Sequence, residues 1–207
     1  YLLALSRFAT VLAALDTGSA FEGMGASREV LFSALAEPAL MLGFLVLILH
    51  TGSQGLSDIS SGIGLADWQN SAPALSMVAL AWFFVLLTEN CRIPVDDPTT
   101  HLELTMIHEV MILDYSGPDL AFVEYASALK LWILGGLLVN LFLPLPFAKP
   151  GLQAGVFILG IFLMAVLVGL TESVMARLKL LNVPKVLAGS AALSLIALML
   201  KLVEYYQ

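Results

Sequence analysis

Six stretches of this 207-residue chain are apolar over all or most of the length a helix needs to cross a bilayer, about 20 residues. They are 1–15, 30–50, 72–89, 120–147, 152–172 and 186–203. Inside hydrocarbon every backbone N–H and C=O must find a partner within the protein, so only helices and closed barrels span. Barrel strands alternate apolar and polar residues, whereas these runs lack that alternation and are rich in Leu, Ala and Met. The fold class that follows is all-α, a polytopic transmembrane helical bundle of about six spans. Hydrophobic residues make up 59% of the chain and charged residues 12%, far from the roughly 45–50% and about 25% of soluble domains. No stretch has the composition of a separate soluble unit, so residues 1–207 read as a single integral membrane domain. The chain starts at Tyr1, already apolar and without the basic region of a signal peptide, and reads as a fragment lacking its N-terminal part.

The intervening segments are 16–29, 51–71, 90–119, 148–151 and 173–185, which places 16–29, 90–119 and 173–185 on one side. That side carries Arg28, Arg92, Arg177, Lys179 and Lys185, whereas the other has Lys149 and, at a helix end, Lys201. The positive-inside rule therefore puts 90–119 in the cytoplasm, and the chain is expected in the cell's inner (plasma) membrane, multi-pass and surrounded by lipid. The 51–71 segment has no Lys or Arg and reads as the external loop with one short interfacial turn. A net charge of −7 argues against nucleic acid as a partner. With Cys91 as the one cysteine, a disulfide, a CxxC site or an iron–sulfur ligand set is excluded within the chain, and any redox centre must belong to a partner.

Eight of the sixteen carboxylates fall between Glu89 and Glu124, between apolar runs. Charged groups beside or within lipid are costly and are retained where ions or protons move. Asp97-Pro98 is a good helix start, because Asp accepts the free N–H groups of a first turn and Pro suits the first helical position. The expected helix runs to about Leu113, with His101, Thr105, His108 and Ile112 on one face and Glu109 beside them. Leu102, Leu104, Met106 and Met111 spread over the rest, so the helix is expected to pack among the spans or under a partner subunit. Asp114-Tyr-Ser-Gly-Pro118 is expected to end it in a turn.

Glu37 lies eight residues into the span 30–50, next to Pro38. Two roles fit: a desolvated carboxyl that exchanges protons, or one that bonds the carbonyls freed by Pro38 and holds a kink. Glu89 and Glu172 close their spans at the acidic side, as solvated helix ends or as stations of an ion path. Glu124 and Lys130 are not placed as an i,i+4 pair, so Glu124 is expected to find a buried partner elsewhere, such as Arg7 or Arg92. His108-Glu109 lacks the second His of the zincin pattern and His101 stands two turns away, so no metal site is expected. The two histidines fit either proton exchange near the carboxylates or plain packing. Gly18-Ser-Ala-Phe-Glu-Gly-Met-Gly25 has neither phosphate-loop spacing and reads as a tight, close-packed turn. Cys91 reads as a small packing residue. No catalytic triad can be assembled, and no catalytic or cofactor-binding residue is assigned.

Five blocks carry a resemblance: Leu15-Asp-Thr-Gly-Ser-Ala-Phe-Glu-Gly-Met-Gly-Ala-Ser-Arg-Glu29, Ala36-Glu-Pro38, Glu89-Asn-Cys-Arg-Ile-Pro94, Asp114-Tyr-Ser-Gly117 and Glu172-Ser-Val-Met-Ala-Arg177. In order and spacing the chain resembles the membrane subunit family that complex I (as subunit 1, or H) shares with membrane-bound, energy-converting [NiFe] hydrogenases, formate hydrogenlyase subunit 4 among them. The Leu-Asp-Thr-Gly and Glu-Ser-x-Met-Ala-Arg blocks look like the hydrogenase branch. Val95 and Asp114 stand where the complex I pattern has Phe and Glu.

The resemblance implies a helical subunit beneath the hydrogenase large and small subunits and beside antiporter-like membrane subunits. It implies no cofactor in this chain and a [NiFe] centre and iron–sulfur clusters in its partners, whose electron transfer the chain couples to H⁺ or Na⁺ movement. Glu37, Glu89 and Glu172 match the family's membrane carboxylates, and Glu124 is added to that path as a buried carboxylate. Arg92, Asp96, Asp97, His101, Glu103, His108, Glu109 and Asp114 belong to the acidic loop and the partner interface. The rival within the superfamily is a quinone-site subunit of an NADH:quinone oxidoreductase (complex I) homologue. A stand-alone ion transporter would show inverted repeats, which are absent, and a passive anchor leaves Glu37 unexplained.

Overall fold

The computed structural model describes residues 2–96, 106–143 and 150–206. Its helices are α1 (Leu2–Asp16), α2 (Ala20–Thr51), α3 (Leu56–Gly62), α4 (Leu65–Asn70), α5 (Ala72–Glu89), α6 (Gly117–Phe142), α7 (Pro150–Val174) and α8 (Val183–Tyr205). Among the described residues there is no strand, and the protein is an all-α polytopic bundle. Among the described residues five helices, α2, α5, α6, α7 and α8, are long and apolar enough to cross a bilayer. The first apolar run forms α1, which at 15 residues is shorter than a full crossing.

The sequence expectation of a loop over 16–29 is corrected. Only Thr17 to Ser19 turn, with Gly18 at φ +69°, and α2 then runs for 32 residues from Ala20. Its buried residues Glu22, Gly25, Ala26, Glu29, Phe32, Ser33, Ala36, Ala39 and Gly43 recur every three or four positions, one continuous helical stripe. At about 1.5 Å per residue, α2 is roughly 48 Å long, so its first turns stand beyond a hydrocarbon core of about 30 Å. At the opposite end Gly52, at φ +71°, stops the helix and donates its N–H to Ile48 O at 2.8 Å. The 51–71 segment then forms two short helices instead of one turn. They cap the end of α6, where Ser60 Oγ donates to Asn140 O at 2.9 Å and Trp68 Nε1 to Phe142 O at 3.1 Å.

The centre of the bundle is the triad α2, α5 and α8. Gly43 leaves the space that the Trp82 indole fills, since a Cβ there would overlap Trp82 Nε1. Trp82 Nε1 donates to Ala39 O at 3.3 Å, and Ser194 Oγ donates to the same carbonyl at 3.0 Å. One backbone oxygen thus ties the three helices at mid-height. Phe44 and Phe142 meet the indole edge-on, with centroids at 4.6 and 5.7 Å. Helix α6 lies against α5, and α7 against α6. Outermost α7 turns Ile158, Phe162, Leu163 and Leu170 outward, each more than half exposed, as expected of a helix facing lipid or an apolar partner.

The helix expected from Asp97 to about Leu113 is also corrected. Residues 97–105 lie outside the described residues. From Met106 onward the chain is irregular, with a single 3-10 turn over Glu109–Ile112. Local helix propensity is overridden by contacts that pin the segment along its length. Arg28 Nη1 donates to Met106 O at 2.9 Å, Asp96 Oδ2 accepts from the Ile107 N–H at 2.8 Å, and Glu22 Oε1 accepts from the Asp114 N–H at 2.9 Å. Val110, Met111 and Ile112 are buried beneath the helices. Gly25 leaves room for them, because a Cβ there would overlap Val110 and press on Met111. The apolar side chains of this segment are therefore used inside the bundle. As expected, a turn after Asp114 ends the segment, and α6 begins at Gly117 with φ +62°.

Candidate functional site: a shared-cation carboxylate cluster

At the end of the bundle that carries the acidic segment, four helices bring charged side chains to one place. Lys130 of α6 lies between two carboxylates, with Nζ 3.1 Å from Glu89 Oε2 and 3.5 Å from Glu29 Oε1. Arg7 of α1 shares that Glu89 oxygen and reaches a third carboxylate, with Nη2 2.7 Å from Glu89 Oε2 and Nη1 3.3 Å from Glu37 Oε1. The order Glu29, Lys130, Glu89, Arg7, Glu37 is thus a chain of three carboxylates and two cations. Both cations are shared, and the set is one positive charge short of neutrality when every carboxyl is ionised. Glu89 is the most enclosed, with its side chain 3% exposed, whereas that of Glu37 is 54% exposed. The chain therefore runs from a sealed end to an open one on the wall of the bundle.

A small cavity of about 50 Å³ lies against this cluster, lined by Arg7, Glu29, Glu89, Asn90, Cys91, His108 and Lys130 among others. Four atoms of these residues are buried without a hydrogen-bond partner: Arg7 Nε, Glu89 Oε1, Asn90 Oδ1 and His108 Nε2. Buried polar groups are seldom left unpaired, and the space exceeds the ~10–15 Å³ that a water requires. The walls supply both donors and acceptors. The cavity is therefore large and polar enough to take a water against the ionisable groups.

Cys91 closes the sealed end. It follows α5 at φ +48°, in the left-handed region that costs a non-glycine residue about 1 kcal/mol or more. Its Sγ lies 3.5 Å from Glu29 Oε2. Burial pushes the thiol well above its usual pKa, and the Glu29 carboxylate pushes in the same direction. The thiol therefore stays protonated and donates. Since the thiolate is the reactive form, the folded protein should resist maleimide at neutral pH and take up one label only after denaturation. Mass spectrometry reads this directly because there is no second cysteine. Rapid labelling of the folded chain would contradict the placement.

Other expected site residues stand apart from the cluster. Glu172 pairs with Arg92 at 3.5 Å at the mouth of a cavity of about 270 Å³ between α6 and α7, whose walls include Trp132, Ile161, Met164 and Val168. Glu124 is exposed, and the partners suggested for it are engaged elsewhere, Arg7 with Glu37 and Glu89 and Arg92 with Glu172. The buried pairing expected for Glu124 is therefore corrected. Asp96 is buried, its side chain accepting from Arg177 Nη2 at 2.8 Å as well as from Ile107, so it faces inward and binds two connecting segments together. Glu109 is half-buried and Asp114 is exposed. Asp97, His101 and Glu103 lie outside the described residues.

Glu29, Lys130 and Glu22 were not singled out from the sequence. Glu22 is fully buried and holds the turn after Asp114 through the Asp114 N–H. The available signal was the seven-residue spacing of Glu22 and Glu29 with Gly25 between, which puts all three on one helical face.

Matches to known proteins show the family. The model of the NADH dehydrogenase family matches residues 1–202. The chain is 38% identical over 183 residues to hydrogenase-4 component C of Escherichia coli (strain K12), covering 86% of this chain and 56% of that protein. It is 31% identical over 192 residues to formate hydrogenlyase subunit 4 of the same organism, covering 90% of this chain and 61% of that one. The chain thus spans little more than half the length of these relatives. By its match over nearly its full length, and with relatives on the hydrogenase side, the chain belongs to the NADH dehydrogenase family, the complex I subunit 1-like membrane proteins.

Proposed function

We propose that this chain is a membrane subunit of a respiratory-complex-I-like, energy-converting hydrogenase, and that it couples electron transfer in its partners to proton or sodium movement. The observation that carries this reading is the row of three carboxylates sharing Arg7 and Lys130 around a cavity with unpaired polar walls. A row one charge short of neutrality gains a proton at little electrostatic cost, and loses it again when a neighbouring charge changes. Electron transfer at the acidic end would supply that change. Glu37, half exposed on a membrane-spanning helix, would pass the charge to an adjacent antiporter-like subunit, since an ionised group left against lipid is costly.

In this reading the chain forms one membrane domain in the inner membrane with its acidic segment cytoplasmic. Hydrogenase large and small subunits lie above it and carry the [NiFe] centre and iron–sulfur clusters. Glu172 with Arg92, and His108 beside the cavity, extend the ionisable set. The quinone-binding alternative is less well supported under the acidic segment. The cavity there, among the described residues, is about 50 Å³, against roughly 300–1,000 Å³ for ligand clefts.

Purification in mild detergent tests the assembly. A nickel-containing large subunit should copurify, and the reconstituted complex should move ions across vesicles during hydrogen evolution in an uncoupler-sensitive way. Copurification with quinone-reductase subunits instead, or the absence of any soluble partner, would overturn the reading.

A further inference from the structure

A second polar cluster closes the opposite end of the bundle. His50 sits in the last turn of α2, Asp67 on α4, Ser71 at the start of α5, and Lys201 and Glu204 in the last turns of α8. Lys201 Nζ donates to Glu204 Oε2 at 2.8 Å and to Ser71 Oγ at 3.1 Å, and Ser71 Oγ donates to Glu204 Oε1 at 3.1 Å. His50 Nε2 lies 3.3 Å from Asp67 Oδ1, while Asp67 Oδ2 accepts from the Gly64 N–H at 2.8 Å. The His50 side chain is 6% exposed, yet neither of its ring nitrogens is aligned in a hydrogen bond.

We propose that His50, with Asp67, Lys201 and Glu204, is a proton-binding site that opens to the compartment opposite the acidic segment. Two carboxylates face one permanent cation, so the cluster is one positive charge short when the imidazole is neutral and balanced when it is protonated. Uptake of one proton makes both ring nitrogens donors, so the 3.3 Å contact with Asp67 becomes an ion pair and the second nitrogen can donate to water. A route for the proton is present, because the side chains of Asp67 and Glu204 are 37% and 52% exposed. Unperturbed imidazole titrates between about pH 5 and 8; at His50 burial and the Lys201 charge oppose protonation, while Asp67 and Glu204 favour it.

The site is separate from the cluster around Lys130. Between them lies a dry belt of Val46, Leu47, Val78 and Trp82, all buried. The inference therefore does not rest on ion coupling. Its structural effect is local: protonation ties the end of α2 to the α3–α4 hairpin.

The test uses the full chain in its complex, in proteoliposomes, with ¹⁵N-labelled histidine and solid-state NMR. A pH change imposed only on the face opposite the acidic segment should convert one imidazole signal between neutral and protonated forms, and His50→Gln should remove that signal. At fixed pH, Asp67→Asn should lower the protonated fraction and Lys201→Met should raise it. Each change should correspond to about a tenfold or larger change in proton affinity, the scale of a single charge at this range. An imidazole that keeps one form across that range would overturn the proposal. So would one that responds to pH on the acidic side only, or one indifferent to both substitutions.

Discussion

Lys130→Met should destabilise the protein by about 3–5 kcal/mol, the usual consequence of breaking a buried ion pair from one side. Methionine fills most of the lysine volume and removes the charge. Glu89 keeps Arg7, whereas Glu29 keeps the Cys91 thiol and loses its cation. Against a total stability of roughly 5–15 kcal/mol, the loss should appear as a clear fall in melting temperature in detergent. Lys130→Arg, which retains charge, should recover much of the stability. A Lys130→Met variant as stable as wild type at pH 8 would show that Lys130 is not the cation shared by Glu29 and Glu89.

Asp96→Ala should be nearly as damaging, for a different reason. The Asp96 carboxylate accepts from the Ile107 N–H and from Arg177, holding the returning end of the acidic segment to the connection between α7 and α8. Leu178 N donates to Pro94 O at 2.9 Å beside it, so this corner is joined by backbone as well as by charge. Removing the carboxylate leaves a buried N–H without its acceptor, a cost of about 1–3 kcal/mol, and removes the ion pair with Arg177 in addition. The segment from Met106 to Ile112 should become accessible to protease and its amides should exchange faster, while α2, α5 and α8 remain protected. Asp96→Asn, which can still accept from Ile107, should show a smaller version of the same effect. Equal protection of this segment in Asp96→Ala and wild type would contradict the arrangement.

Much of the bundle was legible because about 20 apolar residues in a row have few alternatives in a membrane. The runs at 72–89, 152–172 and 186–203 agree with α5, α7 and α8 to within about three residues. The start of α2 was not legible from hydropathy, because averaging over a window hides a helix whose buried face is Glu22, Gly25 and Glu29. The three-to-four spacing carried that information, and small residues on the stripe marked close packing. The helix expected after Asp97 rested on a good cap and good propensity. Three tertiary hydrogen bonds, from Arg28 and to Asp96 and Glu22, outweigh such local preferences over 106–114.

The site divides in the same way. Glu37 and Glu89 stood out because a carboxylate in an apolar run is conspicuous by itself. Their cations did not, since Arg7 meets Glu89 across 82 residues of sequence and Lys130 reaches α2 and α5 from α6. Glu124, which lies early in an apolar span, was expected to find a buried partner such as Arg7 or Arg92, and it lies on the outside. Asp96 was assigned to the acidic loop and the partner interface, and within this chain it is an internal anchor.

The most direct test of ion coupling through the shared-cation row is the number of ions moved per electron by Glu37→Gln in proteoliposomes containing the whole complex. Glutamine keeps the shape and can still accept from Arg7 but cannot carry a proton, and at the half-exposed end of the row it perturbs packing least. The account predicts that electron transfer with an artificial donor stays close to wild type while ions moved per electron fall to near zero. An unchanged ratio, in a variant whose assembly and electron transfer are intact, would contradict it.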